Sequence, residues 1–233
     1  MTTLSTPVSH TRLQIVSDFD STLTLRDIGS SLCAHFRLEP YPEGLKARWL
    51  AGEISLPAFQ AQVWQTVGAS SEAAAAFVED IGTWRPGAAR LFDLAQAGAL
   101  ALTIASGGFG FYIRHLLADW PALSTTAFFN EVDLDAHGCR ARFPHADLHC
   151  GRCAICKARV VERIAATHPA APLAFCGDGR SDACIVDLAL RLPQLKLFAV
   201  RGSFLESTCQ TRACPYIAFD TFETVLDALA LPT

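Results

Sequence analysis

Arg12-Leu13-Gln14-Ile15-Val16-Ser17, running without a break into Asp18-Phe19-Asp20-Ser21-Thr22, is the stretch on which the fold turns. The first six residues read as a short strand, and the acidic pair stands at its carboxyl end. Side chains alternate along extended backbone, so Asp18 and Asp20 point the same way, toward one edge of a sheet. Two carboxylates placed like this can divide labour, one ionised as a nucleophile and one carrying a proton as general acid. Asp-x-Asp-x-Ser/Thr is a common pattern taken alone, so its weight depends on the rest of the chain.

From 26 to 81 apolar residues recur at helical spacing (Ile28, Leu32, Phe36; Phe59, Val63, Val67; Ala73, Phe77, Ile81), with breakers at Pro40, Pro42, Gly52 and Pro57. The pattern predicts about four short helices and no strand. After Arg85-Pro86-Gly87 helical and apolar runs alternate: a helix over 87–97, a strand over 99–105, a hairpin within 125–143 turning at Ala136-His137-Gly138, a helix over 155–167, a strand over 172–176, and strands near 196–200 and 216–219. Such alternation predicts an α/β fold, a doubly wound and mainly parallel sheet. The expected organisation is a core of 1–25 and 82–233 with an inserted helical cap of 26–81. Ligands of such sheets bind beyond the carboxyl ends of the strands.

Three inferred strands end in chemically loaded turns. Besides 18–22, Ser106-Gly107-Gly108 offers a hydroxyl and bare amides that can cradle phosphate oxygens. Gly177-Asp178-Gly179-Arg180-Ser181-Asp182 offers two more carboxylates, and hard oxygen ligands in a small site suit Mg²⁺. Lys157, opening a helix, can supply a fixed positive charge.

Bulk composition narrows the partners. Hydrophobic residues make up 51% of the 233-residue chain and charged residues 18%, enough for a sizeable core and too apolar for disorder. A net charge of −4 without a Lys/Arg run gives no footprint for nucleic acid, and no apolar run reaches the length of a membrane span. The partner expected is a small phosphorylated metabolite, with no nucleic acid and no membrane; a homodimer stays open. Nine cysteines, an odd number, without a basic-then-apolar leader, point to a reducing, cytoplasmic setting rather than a disulfide framework.

The chain resembles the haloacid dehalogenase superfamily phosphatases, in the branch that includes phosphoserine phosphatase. Asp18-Phe19-Asp20-Ser21-Thr22 matches the first motif, Ser106-Gly107-Gly108 the second, Lys157 the third, and Asp178 with Asp182 the fourth. Arg85-Pro86-Gly87 and the Gly98 junction also match. The resemblance implies catalysis by Asp18 and Asp20, with an aspartyl phosphate on Asp18. It implies Mg²⁺ held by Asp18, the backbone carbonyl of Asp20, and Asp178. Ser106, Gly107 and Lys157 would bind the phosphoryl group, with Thr22 and Asp182 in support, and Asp27 falls where the family places an acidic cap residue near the substrate. The stretch 59–67 lacks the basic residue that phosphoserine phosphatases carry there, and Ser181 stands in place of an asparagine. Arg180-Ser181-Asp182 and Cys156-Lys157 are also similar to methylthiopentenyl-1-phosphate and phosphocholine/phosphoethanolamine phosphatases.

Two other readings stand beside the phosphatase: a phosphotransferase using the same Asp18, and a metal- or redox-sensing protein on the same scaffold. The second rests on Cys150, Cys153 and Cys156, a C-x2-C-x2-C run whose spacing can hold zinc with His145 as a further ligand. The plainer expectation is a thiol-rich loop that positions Lys157. In the cap, Trp49, Phe59 and Trp64 are expected in its core, and Arg26, Lys46 and Arg48 on solvated faces.

Overall fold

Gln14–Ser17 (β1) forms the middle of a sheet, and all four of its residues are buried. A strand covered on both faces has no solvent side on which to alternate, which is why Ile15 and Val16 stand together. This is a computed structural model, and it describes residues 12–146 and 151–231. After β1 come Ile28–His35 (α1), Leu45–Leu50 (α2), Leu56–Gln65 (α3) and Ser71–Ile81 (α4). The side chains of Asp27, Ser55 and Ser70 accept hydrogen bonds from backbone N–H groups in the first turns of α1, α3 and α4. These caps fix the helix starts that the periodicity only outlined. An antiparallel bridge between Thr24 and Trp84 joins the entry and exit of this helical stretch.

The chain continues through Ala88–Gln96 (α5), Ala101–Phe109 (β2), Gly110–Leu116 (α6), Pro121–Thr125 (α7), Phe128–Asp133 (β3) and Arg140–Arg142 (β4). Next come Lys157–Thr167 (α8), Leu173–Gly177 (β5), a 3-10 turn at Arg180–Asp182, Ala183–Ala189 (α9), Leu195–Val200 (β6), Phe204–Thr211 (α10), Ile217–Phe219 (β7) and Phe222–Ala228 (α11). Among the described residues the strands form one seven-stranded sheet in the order β4-β3-β2-β1-β5-β6-β7. Only the β3–β4 pair is antiparallel. The fold is thus the α/β, doubly wound and mainly parallel one expected. No helix among the described residues is long and apolar enough to cross a membrane.

Strand order puts the site where it is. Ser17 pairs with Ile104 of β2 on one side and Cys176 of β5 on the other, so three strand ends meet at one edge. The chain leaves β1 toward β2 and later returns to β5 on its other flank, which opens a crevice between the two directions of winding.

One local expectation fails. Ser106-Gly107-Gly108 is not a turn: β2 runs through it to Phe109, with a shift of register against β3 between Ala105 and Phe109. The glycine there provides space, since a Cβ on Gly108 would lie 1.8 Å from the Tyr112 hydroxyl and 2.5 Å from Asp20 Oδ2. The short α7 carries too few residues for a periodic signal; Pro121 at its start fits a first-turn position.

Candidate active site

The backbone N–H of Asp18 donates to Cys176 O at 2.9 Å, so the strand ladder still holds at the point where the acidic stretch begins. Asp18 itself is buried, with one oxygen accepting from Phe19 N–H at 2.7 Å and the other 2.5 Å from Lys157 Nζ. The turn after it is tight. Ser21 sits at φ 57°, a left-handed conformation that costs a residue with a Cβ. Arg85 offsets that cost by donating to the carbonyls of Thr22 and Ser21, both at 2.7 Å, and to Asp220 O at 3.0 Å. The sequence marks Arg85 as part of a motif without assigning it this task.

Lys157 is fully buried at the first position of α8. A cation there faces the positive end of the helix dipole, so it needs anions close by. It has two, pairing with Asp18 and Asp182, and it also donates to Ser181 Oγ at 3.2 Å. Burial pulls its pKa down, but Asp18 and Asp182 more than offset this and hold the ammonium above the ordinary lysine range. Burial acts on Asp18 in the opposite sense, raising its pKa, with Asp182 and Asp178 adding to the rise and Lys157 opposing it.

Asp182 accepts from the backbone N–H groups of Asp178 and Gly179 at 2.9 and 2.7 Å, which closes the turn over itself. Thr22 donates its hydroxyl to Asp178 Oδ1 at 2.7 Å. Burial, and then repulsion from Asp182, push the Asp178 pKa up to about 6. Carboxylate oxygens of Asp18, Asp178 and Asp182 lie within 4.8 Å of one another, the only such group of potential metal ligands among the described residues. A crowd of hard oxygens with a single lysine beside it is short of positive charge and suits a divalent cation. Asp182 takes three donors, two of them backbone N–H groups on one oxygen, against one donor on each oxygen of Asp18 and the Thr22 hydroxyl on Asp178, so Asp18 and Asp178 keep the greater capacity for a metal.

Asp20 is set apart from this group. Its Oδ1 accepts from Ile28 N–H at 2.8 Å and its Oδ2 from the Tyr112 hydroxyl at 2.5 Å. Burial, and then the charge of Asp27, raise its pKa to about 7, against the pull of those donors. Ser106 is fully buried, and its oxygen accepts from Gly108 N–H at 2.9 Å, which leaves the hydroxyl's own proton to give. The carbonyl of Gly107 is tied down by Gln60 Nε2 at 3.0 Å and Asn130 Nδ2 at 2.9 Å.

A cavity of about 750 Å³ opens over these groups, bordered by Asp18, Asp20, Ser106, Gly107 and Asp178 on the sheet side and by residues of α1 to α3 on the other. Asp27 lines it, but Ser30 occupies both oxygens of its carboxylate, through N–H at 2.7 Å and hydroxyl at 2.8 Å. Trp64 is buried in the hydrophobic core as expected and Phe59 packs against that core, but the three aromatics are not sealed from the cavity. All three border the cavity, Trp49 stacked on Phe59 with centroids 4.9 Å apart and Trp64 buried. Lys46 lines it as well and is exposed.

The cysteine run does not assemble as a site among the described residues. Cys150 lies outside them. Cys156 immediately precedes α8, without a side-chain capping bond, and is hydrogen-bonded to Cys184, while His145 stands edge-on to Phe128 at 5.4 Å. Buried Ala154 and Ile155 anchor the loop directly ahead of Lys157, in keeping with a positioning role.

Comparison with known proteins shows the family of the chain. The family described as haloacid dehalogenase-like hydrolase matches residues 15–186. A 2-hydroxy-3-keto-5-methylthiopentenyl-1-phosphate phosphatase of Bacillus cytotoxicus is 26% identical over 220 residues, covering 93% of this chain and 95% of the relative. The protein of the same description from Brevibacillus brevis is 27% identical over 222 residues, covering 94% and 95%. Among solved structures, a phospho-aspartyl intermediate analogue of phosphoserine phosphatase superposes with a TM-score of 0.65 at 15% identity, covering 93% of this chain and 98% of that one. At that identity the likeness speaks for the fold.

Proposed function

The chain belongs to the haloacid dehalogenase-like hydrolases and is a phosphoric monoester hydrolase, and from that premise we propose that it cleaves a small phosphomonoester in two steps through an aspartyl phosphate on Asp18. The observation that carries this reading is the setting of Asp18, a carboxylate at a strand end with one oxygen fixed by Phe19 N–H and a buried lysine against the other. Burial raises the Asp18 pKa, and Lys157 opposes that rise by favouring the charged carboxylate. In the first step Asp18 attacks phosphorus in line, the ester P–O bond breaks, and Asp20 gives a proton to the departing oxygen. In the second, water attacks the aspartyl phosphate, Asp20 takes its proton, and phosphate leaves with Asp18 regenerated. A group with a pKa of about 7 suits both transfers near neutrality.

Asp18 and Asp178, with the Asp20 backbone carbonyl, would hold Mg²⁺, and the ion when bound supplies positive charge to the phosphoryl oxygens. Lys157 and the Ser106 hydroxyl hold those oxygens from the protein side, the kind of positioning and charge neutralisation on which phosphoryl transfer depends. Residues 26–81 act as the cap on the core of 1–25 and 82–233. Their wall of Trp49, Leu56, Phe59 and Val63 suits an apolar substrate tail. The ester named for the Bacillus and Brevibacillus proteins is therefore the first substrate to try.

The test is phosphate release from that ester, phosphoserine and phosphocholine, with Mg²⁺, with EDTA, and with Asp18→Asn. Loss of a buried nucleophile should lower kcat by about 10⁴-fold or more. Wild type and D18N that release phosphate equally would end the reading.

A further inference from the structure

Tyr112 lies on α6, 92 residues from Asp20 along the chain, yet its hydroxyl donates to Asp20 Oδ2 at 2.5 Å. The side chain is fully buried, with its ring tilted against Phe19 at 6.1 Å and edge-on to Phe111 at 5.3 Å. The surroundings are shaped to the hydroxyl as well as to the ring. A Cβ on Gly108 would lie 1.8 Å from the Tyr112 oxygen, and one on Gly29 would lie 3.3 Å from it. Two glycines, from separate segments, thus leave open the space in which the oxygen meets the carboxylate.

The other end of Asp20 is held from a different direction. Oδ1 accepts from the N–H of Ile28, the first residue of α1 and one of the helix-start donors that have no partner inside the helix. Asp20 is therefore gripped between the start of the helical insertion and a core helix, with backbone N–H donors from the one and the Tyr112 hydroxyl from the other. A carboxyl group that must face a departing oxygen in one step and a water in the next needs its plane fixed, because small misplacements of reacting groups are costly. Tyrosine suits the task in both protonation states of its partner. Its hydroxyl donates to a carboxylate and, by rotating its proton, accepts from a carboxylic acid.

We propose that Tyr112 is a positioning residue for Asp20, holding the carboxyl group in the plane from which it passes a proton to the leaving group. The role rests on the two-step phosphatase reading above. Tyr112 touches neither substrate nor phosphorus in this scheme; it acts through Asp20. The proton it donates to Asp20 stays in the Tyr112–Asp20 pair, and the proton passed to the ester oxygen is the one Asp20 carries.

The test uses Tyr112→Phe and two esters that differ in their need for a proton donor. An alkyl phosphate such as glycerol phosphate expels a strongly basic alkoxide and depends on Asp20. p-Nitrophenyl phosphate expels a stabilised phenolate that leaves without help. Values of kcat/KM are compared, because they report only the steps up to formation of the aspartyl phosphate. General acid help is worth about 10²–10⁴-fold, so partial misplacement in Y112F should lower kcat/KM for the alkyl ester by roughly 10–100-fold. For p-nitrophenyl phosphate the fall should stay within about threefold, and in an Asp20→Asn background Y112F should add almost nothing to the loss on the alkyl ester. Equal losses on both esters, or no loss on either, would overturn the role of Tyr112 and leave the phosphatase reading intact. A wild-type protein that releases phosphate neither from these two esters nor from the three of the preceding test would sink that reading and this role together. Should Y112F fail to fold, the double variant Y112F/D20N decides. If it folds, the hydroxyl is there for Asp20, because removing both partners removes the orphaned carboxylate. If it does not, Tyr112 is a core residue and the proposal fails.

Discussion

The two walls of the cavity are built in opposite ways. On the sheet side Asp18, Lys157 and Asp182 are buried, and each charged group is paired with an opposite charge or a backbone donor. On the helical side Lys46 and Asp27 are exposed, and Trp49 and Phe59 meet through a stacked pair at the cavity edge. Groups sealed from water interact strongly and tolerate little change, whereas exposed charges are screened. The sheet side therefore holds the groups of the proposed chemistry and much local stability. The helical side is free to vary with what it must accept.

Lys157→Met attacks that contrast with the largest expected effect. It leaves Asp18 and Asp182 buried without their shared cation, and breaking a buried pair from one side costs about 3–5 kcal/mol. Thermal or urea unfolding should show the loss, together with a fall in kcat of about 10²–10³-fold from the missing charge at the phosphoryl group. Lys46→Met, across the cavity, should change unfolding free energy by less than about 0.5 kcal/mol, as is usual for an exposed side chain. If the two variants were equally stable, the contrast would be wrong.

The next effect is one of pH. Burial, and then Asp27, place the Asp20 pKa at about 7, above the ordinary aspartate value. In the proposed mechanism the protonated form is the proton donor, and raising pH through about 7 removes it. For an alkyl phosphate, kcat/KM should therefore fall by about tenfold per pH unit above that point, while p-nitrophenyl phosphate shows a shallower fall. A flat profile from pH 6 to 9 with the alkyl ester would take the general acid role away from Asp20.

Trp49→Ala probes the other wall. It breaks the stack on Phe59 and removes apolar surface from the cavity, so KM for a substrate with an apolar tail should rise by roughly 3–30-fold. The change in kcat should be small, because nothing on the sheet side has moved. A large loss of kcat with KM unchanged would place Trp49 in the chemistry and blur the division between the walls.

The same division explains how much of the molecule is legible in its sequence. Strand-end carboxylates, the helical period of 28–81 and the hairpin turn at 136–138 are local features, written in consecutive residues. Lys157 is legible as a motif residue, although nothing local shows that it is completely buried. Arg85 and Tyr112 are not legible in their tasks. Arg85 reaches carbonyls 63 and 64 residues away, and Tyr112 meets its carboxylate at 92. On an apolar helix face a tyrosine looks like any core aromatic, and only the approach of two chain segments shows that its hydroxyl has a partner. Ser106-Gly107-Gly108 misleads for a related reason. Paired glycines after an apolar run suggest a turn, whereas β2 uses one of them to let Tyr112 and Asp20 meet.

Asp27 offers the smallest and most discriminating effect, since it lies where the walls join. The resemblance places it near the substrate, and it does border the cavity. Yet its carboxylate accepts from both the N–H and the hydroxyl of Ser30 and caps α1, the helix whose first N–H also holds Asp20. If capping is its whole task, Asp27→Ala should cost about 1 kcal/mol in unfolding free energy, and Asp27→Ser, another good cap, should recover most of it. Substrate recognition would behave differently: serine would restore stability but not KM, because it returns the cap without the charge. A rise in KM shared by D27A and D27S would give the helical wall a charged contact with the substrate. Recovery of both quantities in D27S would make Asp27 part of the frame that sets α1, and through Ile28 the carboxyl of Asp20, in place.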